Sequence, residues 1–185
     1  ETGMAQMLGA KVIGVEETSL NEFIKQPIKN EMFRRGSFFE LIWLKTRGGM
    51  KKELRERFAG IDRLYGSGAV ERHAGSRVAV VGMGGVGSWV VEALARSGVG
   101  HLTLIDADDI CVSNTNRQLP ALEGQYGRNK SEAMADRCRA INPLIEVEAV
   151  PMFLTAANLE SLLDRGFDLV LDACDSFRTK VEMIA

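Results

Sequence analysis

Apolar and polar positions along the chain predict four strands separated by helices. Short apolar runs predict buried strands over residues 77–82, 101–108, 145–150 and 167–173. Apolar residues at helical spacing predict helices over residues 88–98, 129–142 and 155–166. Because strands alternate with helices, the predicted fold is α/β, a Rossmann-like parallel sheet with helices on both faces and a ligand site at the carboxyl ends of its strands. The chain stops inside the next helical stretch, so we expect a C-terminally truncated sheet.

The first 49 residues show no sustained period and no motif, so their fold is not predicted. Gly48 and Gly49 precede "MKKELRERFAG", which has the pattern of a helix. We therefore expect the natural protein to start at Met50. Residues 1–49 are then an unassigned extension, with translated upstream sequence as one hypothesis for their origin.

Composition is that of a globular protein, with 45% apolar and 26% charged residues. No apolar stretch reaches the roughly 18 to 20 residues of a membrane span, and no secretory signal begins the chain, so the expected location is cytoplasmic. Cys111, Cys138 and Cys174 stand far apart and predict neither a zinc site nor disulfides, only packed thiols. A net charge of −2 argues against a dominant nucleic-acid footprint, although a local basic patch could still bind RNA.

The stretch "GMGGVGS" joins the first predicted strand to a helix. Gly82, Gly84 and Gly87 fit the G-x-G-x-x-G pattern, in which glycines permit the turn, a close approach to phosphate and tight packing of helix on strand. Asp106, near the end of the next strand, is placed to accept hydrogen bonds from a ribose. This pattern predicts nucleotide binding, but it does not choose between a dinucleotide and ATP.

A polar segment after Asp106 favours a polyphosphate over a redox cofactor. Its candidate binding residues are Asp108, Asn114, Asn116, Arg117, Gln118 and Lys130. Arginine, lysine and amide donors suit phosphate oxygens, whereas a redox site needs an apolar face for nicotinamide. The fourth strand ends in "DACDS", so Asp172 or Asp175 could hold the Mg²⁺ that accompanies ATP.

Three segments, "RVAVVGMGGVGSWVVEALARSGVGHLTLIDADDICVSNTNRQ", "GRNKSEAMADRCRAINP" and "DLVLDACDS", resemble the adenylating domain of the ThiF/MoeB family, which is related to the ubiquitin-activating enzymes. "RFAGIDRLYG", "GVGSW" and "SNTNRQ" are similar to the branch of dehydratases that act on threonylcarbamoyladenosine in tRNA. The activators of sulfur carriers usually have "LQRQ" in that loop. The resemblance covers residues 50–185 and implies the N-terminal part of a ThiF-like ATP-binding domain.

The resemblance also implies roles for individual residues. Those lining the ATP site would be Gly82, Gly84, Gly85 and Gly87, with Asp106 on the ribose and Asp108 near the metal. Those contacting phosphates would be Asn114, Arg117, Gln118 and Lys130. Asp175 would bind Mg²⁺, with Asp172 as its structural support. Arg63 or Arg57 would reach into the ATP site of the partner subunit in a homodimer.

The implied activity is an ATP-dependent dehydration. The carboxylate of threonylcarbamoyladenosine 37 in tRNA is adenylated, releasing pyrophosphate, and is then cyclised, releasing AMP. An activator of a ubiquitin-like sulfur carrier is the alternative, and a non-catalytic nucleotide-binding module or an NAD-dependent oxidoreductase is the third hypothesis. The family also implies partners from sulfur relay.

The other conspicuous residues are expected to have ordinary structural roles. Trp89 is expected to pack its helix against the sheet, and Cys174 to be a small buried residue at a strand end. His73 and His101 have no second ligand at metal spacing, so both are expected to be ordinary surface or strand-edge residues.

Overall fold

The computed structural model describes residues 11–14, 39–176, 180, 181 and 183, with side chains from residue 52 onward. The strands are β1 (Lys11–Gly14), β2 (Arg77–Val81), β3 (His101–Ile105), β4 (Glu146–Val150) and β5 (Leu169–Asp172). The helices are α1 (Phe39–Tyr65), α2 (Ala69–Gly75), α3 (Gly87–Arg96), α4 (Lys130–Ile141) and α5 (Leu159–Leu163). A 3₁₀ turn spans Val112–Asn114.

The five strands form one parallel sheet in the order β1-β5-β2-β3-β4. Val81 at the end of β2 pairs with Ile105 of β3 on one side and with Asp172 of β5 on the other. The carboxyl ends of these strands therefore meet at one edge of the sheet. The turns that follow β2, β3 and β5 all leave from this edge.

Each face of the sheet carries its own apolar core. On one face, Val78 and Val80 pack in a cluster with residues of α3 and α4. On the other, Ala79 and Val81 pack in a cluster with residues of α5 and with Met183. Because successive strand residues point to opposite faces, an unbroken apolar run such as that of β2 requires helices on both sides. The predicted α/β fold is confirmed.

The predicted strands and two of the predicted helices are confirmed, with bounds that differ from the predicted ones by at most three residues. The predicted helix over residues 155–166 is shorter and covers only Leu159–Leu163. Its N-terminal part forms a loop instead, because Asn158 Oδ1 accepts from Thr155 N at 2.8 Å and Asn158 Nδ2 donates to Phe153 O at 2.9 Å. Asparagine side chains commonly compete with the helical backbone in this way.

Residues before Met50 contribute two elements. β1 pairs with β5 as an edge strand, and α1 begins at Phe39 and continues through Met50. Residues 1–10 and 15–38 lie outside the described part of the chain. The domain boundary at Met50 stays a prediction.

The second half of α1 is docked on the main domain. Its axis changes direction at Phe58, whose φ of −118° is not helical, and the Phe58 ring packs against Gly98. Arg55 pairs with Glu71 of α2 at 2.7 Å, and Asp62 Oδ1 accepts from Val70 N at 3.0 Å. None of the helices in the described ranges has the length and apolar character of a membrane span.

The two histidines lie in different surroundings. His73 of α2 is 2% exposed, and its Nδ1 lies 2.7 Å from the carbonyl oxygen of Ser97. The expectation that His73 is a surface or strand-edge residue is therefore wrong. His101 begins β3, is half-buried and lies 3.1 Å from Glu146, as expected of a strand-edge residue.

Candidate functional site

The glycine turn between β2 and α3 allows no side chain at two of its positions. Gly82 has a φ of +92°, and a Cβ there would lie 2.8 Å from the carbonyl oxygen of Ala173. A Cβ on Gly87 would lie 1.7 Å from the carbonyl oxygen of Gly82. The turn is thus held tightly between α3 and the end of β5. Its backbone amides and the N-terminus of α3 form a surface suited to an anion.

Asp106 follows β3, and its carboxylate bonds both to the glycine turn and to the segment that begins at Asp108. Its Oδ2 accepts from Met83 N at 2.5 Å, and its Oδ1 accepts from Asp108 N at 2.8 Å. Burial raises the pKa of the Asp106 carboxyl, while these two amide bonds and the charge of Lys130 oppose that rise. Each oxygen keeps a further acceptor position, as a bond from a ribose hydroxyl requires.

Lys130 is brought to the same edge by the start of α4. It is 6% exposed, and its Nζ lies 2.8 Å from Asp108 Oδ2. Asn129, which sequence reasoning missed, caps α4 by accepting from Ser131 N, and its Nδ2 donates to the carbonyls of Asp106 and Asp108 at 3.1 Å each. Asparagine directly before a helix is a usual capping signal and could have pointed to it. This cap fixes Lys130 beside Asp106.

The segment Ser113–Gln118, called the arginine loop below, is shaped by Asn114. This residue is buried, and its Oδ1 accepts from Cys111 N at 3.0 Å. Its carbonyl accepts from Arg117 N at 3.1 Å and from Gln118 N at 2.9 Å. Asn114 therefore has a clear structural role, and its predicted contact with phosphate stays a prediction.

Arg117 and Gln118 approach the glycine turn from this loop. The stem of the exposed Arg117 side chain passes over Gly85, where a Cβ would lie 3.2 Å from Arg117 Cγ. Gln118 is buried next to Gly84, and its Oε1 has no hydrogen-bond partner within the described residues. A buried acceptor without a partner is costly, so it is suited to a ligand that supplies a donor.

Two residues at the start of α3 bind the arginine loop or Leu119, which follows it, and sequence reasoning missed both contacts. Ser88 Oγ donates to Gly84 O at 2.6 Å and accepts from Leu119 N at 3.3 Å. Trp89 Nε1 donates to Arg117 O at 3.0 Å, and the residue is 55% exposed. The prediction that Trp89 packs the helix against the sheet is wrong, because Trp89 lies off the buried face of α3.

The two acids after β5 have different surroundings. Asp172 is 7% exposed, and its carboxylate accepts from Cys174 N at 3.0 Å and from Lys180 Nζ at 2.9 Å. Asp175 is exposed to solvent. Within the described residues, no group of three or more His, Cys, Asp or Glu side chains converges as a ready-made metal site.

Two of the three cysteines, Cys138 and Cys174, have thiols that resist ionisation. Burial and, to a lesser extent, the hydrogen bond to Asp172 together raise the pKa of Cys174 to about 12. Burial likewise raises the pKa of Cys138 to about 12. Both thiols therefore stay protonated at neutral pH. Cys111 is exposed, so its predicted role in packing is wrong.

The two candidate crossing arginines lie on α1. Arg63 is exposed in its last turn, and Arg57 pairs with Glu53 on the same helix at 3.2 Å. Among the contacts of the described residues, neither arginine bonds to the glycine turn or the arginine loop. Their predicted role, which acts on a partner subunit, stays a prediction.

Taken together, the edge of the sheet presents backbone amides, a ribose-type acceptor and two cationic side chains around one turn. This is the site of a nucleotide-binding α/β domain. Residues 59–184 match the sequence profile of the ThiF family, and the chain belongs to that family. The family resemblance inferred from the sequence is confirmed.

Relatives within the family include tRNA-modifying enzymes. The chain is 52% identical over 130 residues to the tRNA threonylcarbamoyladenosine dehydratase of Haemophilus influenzae, which covers 70% of this chain and 50% of that protein. The crystal structure of the Escherichia coli tRNA N6-threonylcarbamoyladenosine dehydratase in complex with ATP is 50% identical, with a TM-score of 0.69, covering 70% of this chain and 54% of that one. The sulfur carrier protein adenylyltransferase of Thermus thermophilus is 40% identical over 110 residues, covering 60% of this chain and 40% of that protein. The chain thus spans about half the length of the dehydratases that it matches.

Proposed function

We propose that this chain carries the ATP site of a tRNA threonylcarbamoyladenosine dehydratase. The observation that carries the proposal is the convergence of the glycine turn, Asp106 and the Lys130–Asp108 pair at one sheet edge. The 52% identity to the Haemophilus influenzae dehydratase supports this particular reaction. We further propose that the enzyme is a cytoplasmic homodimer with tRNA as its substrate.

The residues present fit ATP. A Cβ on Gly82 or Gly87 would collide with backbone, so both positions require glycine. Phosphate oxygens would lie against the backbone amides of this turn and the N-terminus of α3. Asp106 would accept from the ribose, and Gly84 and Gly85 would lie along the phosphates. The phosphate contacts would come from Asn114, Arg117, Lys130 and the amide Nε2 of Gln118. Lys130 would reach them by giving up its bond to Asp108, whose carboxylate would then be available near the metal.

The Mg²⁺ ion that accompanies ATP would be held by Asp175. Its carboxylate is exposed, whereas that of Asp172 is occupied by Lys180. Magnesium at nucleotide sites is commonly bound through one or two carboxylates plus substrate phosphates and waters. A ready-made cluster of protein ligands is therefore not required. The ion would supply charge neutralisation on the phosphates.

The reaction requires the chain to position its substrates and to neutralise charge. An oxygen of the substrate carboxylate forms a bond to the α-phosphorus of ATP, and the bond to pyrophosphate breaks. No general base is needed for this step, since the carboxylate is already ionised at neutral pH. Arg117, Lys130 and Arg63 of the partner subunit neutralise the phosphate charge.

Ring closure then completes the dehydration. The neighbouring carbamoyl group attacks the activated carbonyl carbon, and AMP leaves with the original carboxylate oxygen. The net change is the loss of one water from threonylcarbamoyladenosine for each ATP converted to AMP and pyrophosphate.

The alternative function is the activation of a ubiquitin-like sulfur carrier, which would bring partners from sulfur relay. It is supported by the 40% identity to the Thermus thermophilus adenylyltransferase. The same first step would then act on the terminal carboxylate of a protein. The two functions differ in the nucleophile and share the ATP site.

The deciding experiment measures ligand binding and then substrate choice in the full-length protein. Thermal unfolding with ATP and Mg²⁺ at about 100-fold excess over Kd should show roughly 2.7 kcal/mol of stabilisation, and NAD should show none. Pyrophosphate release should then depend on tRNA that carries threonylcarbamoyladenosine. Matched tRNA lacking the modification is the control, and a sulfur carrier protein is the competing substrate. Release with the carrier and not with the tRNA would establish the alternative, and stabilisation by NAD alone would rule out both.

A further inference from the structure

Trp89 combines an exposed indole with one fixed hydrogen bond. The residue is 55% exposed and lies outside the buried set of α3 residues, so it contributes little to the core. Its Nε1 nevertheless donates to the carbonyl oxygen of Arg117, 28 positions along the chain, at 3.0 Å. A large apolar side chain that is left in solvent while its single donor is used points to a role for that donor.

The neighbouring residue anchors the same stretch of chain. Ser88 Oγ accepts from Leu119 N at 3.3 Å and donates to Gly84 O at 2.6 Å. Two consecutive residues of α3 therefore hold the backbone on both sides of position 118. Because α3 starts at the glycine turn, this clasp, formed by Ser88 and Trp89, links the arginine loop directly to the turn.

The clasp determines where the Arg117 side chain starts. From the backbone held by Trp89, the stem passes over Gly85, and Arg117 Nη1 donates to Ser113 O at 3.2 Å and to Asn116 Oδ1 at 3.0 Å. Ser113 and Asn116 belong to the arginine loop itself, so these two bonds do not fix the loop relative to the glycine turn. Besides the contact of its stem with Gly85, the hydrogen bonds of the clasp hold the Arg117 backbone in place relative to the glycine turn.

We propose that Trp89 is a positioning residue whose indole N–H holds the backbone of Arg117 in register with the glycine turn. The proposal rests on the proposed function, in which Arg117 neutralises phosphate charge. A guanidinium displaced by about 1 Å loses much of its effect on a transition state. Trp89 would thus act through Arg117 and would not touch the nucleotide.

The test removes the N–H and keeps the ring. In the full-length protein, Trp89 is replaced site-specifically by β-(3-benzothienyl)alanine, in which sulfur stands in place of the indole N–H. Trp89→Phe is the conventional companion. From the usual net strength of one such bond, we expect pyrophosphate release at saturating ATP and modified tRNA to slow by about 3- to 10-fold. The Kd for ATP should stay within about 2-fold, because the glycine turn and Asp106 are unchanged.

Ser76→Ala provides a matched control. It removes another bond from a side chain to a backbone carbonyl, Ser76 Oγ to Arg72 O at 2.8 Å, directly before β2 and so at the opposite edge of the sheet. This variant should lower the melting temperature and leave the rate unchanged. An effect that merely follows stability would appear in both variants.

A second readout does not depend on catalysis. Loss of the N–H should speed hydrogen exchange of the backbone amides of Arg117 and Gln118 by about 3- to 10-fold, with no such change in Ser76→Ala. Unchanged exchange and an unchanged rate in the benzothienyl variant would overturn the proposal. A loss of rate in Trp89→Phe alone would also overturn it, because the role would then belong to the face of the indole ring. Faster exchange in a protein that releases no pyrophosphate with tRNA would support the positioning role and refute the proposed function.

Discussion

Asp172 and Asp175 differ in burial, and this difference separates their expected roles. Asp172 is buried and accepts from Cys174 N and Lys180 Nζ, so Asp172→Asn removes the charge from these hydrogen bonds and should lower the free energy of unfolding by about 1.5 to 3 kcal/mol. Asp175 is exposed, so Asp175→Asn should change it by no more than about 0.5 kcal/mol. Pyrophosphate release should fall by orders of magnitude in Asp175→Asn. Urea unfolding and release assays on the same preparations check both outcomes.

The reverse pattern would show that the two acids have been assigned the wrong way round. A folded Asp172→Asn protein with no activity, beside a fully active Asp175→Asn, would place the metal on Asp172. Titration of Mg²⁺ in each variant distinguishes a weakened metal site from a distorted one, since only the former is rescued by excess ion.

His73 should make stability fall at acidic pH. Burial lowers its pKa below the ordinary value, and the hydrogen bond to Ser97 opposes this only in part. As pH falls through about 6.5, the unfolded chain takes up a proton that the folded one does not, so unfolding is favoured. The loss approaches about 1.4 kcal/mol per pH unit until the folded pKa is reached.

His73→Asn serves as the comparison, because its amide can still donate to the Ser97 carbonyl without titrating. Urea unfolding at pH 7.5 and 5.5 should show a larger loss of stability in the wild type than in this variant. Carboxylates such as Glu92 contribute equally to both proteins, so the difference isolates His73. Equal losses of stability in the two proteins would mean that His73 has the same pKa in the folded and unfolded states.

At the level of single residues, the sequence was informative where a role depends on local order. The glycines, Asp106 and Lys130 could be placed at one edge of the sheet because each stands at a fixed offset from a strand or helix end. The bond from Trp89 to Arg117 joins positions 28 apart, and no local pattern reports it. His73 was missed for a similar reason, since its burial depends on packing against residues around Ser97.

Among whole elements, the strand-turn-helix unit from β2 to α3 makes a sharp prediction about its glycines. Gly87→Ala places a Cβ 1.7 Å from a backbone oxygen that cannot move aside, so we expect no stable folded protein. Gly85→Ala meets only the flexible stem of Arg117, at 3.2 Å, and should fold. Because Arg117 must then shift, Gly85→Ala should still lose pyrophosphate release. Circular dichroism melts followed by activity assays check the pair, and a stable Gly87→Ala protein would contradict the described packing.

The elements themselves could be predicted to different degrees. The inner strands β2, β3 and β5 are unbroken apolar runs, and burial on both faces leaves few alternatives for such segments. The helix over residues 155–166 was predicted too long, because Asn158 bonds to its own loop and delays the start to Leu159. β1 carries four residues without periodic context, so its place beside β5 follows from the sheet and not from its own sequence.

For the whole molecule, the proposed homodimer predicts that two defective proteins can restore one site. If Arg63 acts on the partner subunit, Arg63→Ala and Lys130→Ala should each be nearly inactive as full-length proteins. After mixing and re-association, the heterodimer carries both lesions in one composite site and leaves the other intact. With about half the dimers mixed, activity should recover to about a quarter of the wild-type value.

Failure to recover is informative only when heterodimers have formed, which a tagged pull-down verifies. In that case Arg63 acts within its own subunit, or Arg57 is the residue that crosses. Repeating the mixture with Arg57→Ala separates these two outcomes. Two copies of the same variant, mixed in the same way, give the baseline.

The contact of the glycine turn with the end of β5 has a consequence for synthesis on the ribosome. Gly82 rests against Ala173, and β2 is joined to the start of β5 by a bond between Arg77 and Asp168, 91 positions apart. At roughly 5 to 20 residues per second, the turn waits about 5 to 20 s for the strand that backs it. During that interval the nascent chain contains the glycine turn but not the end of β5 that packs against it. We therefore expect ligand to stabilise the domain only once β5 has emerged.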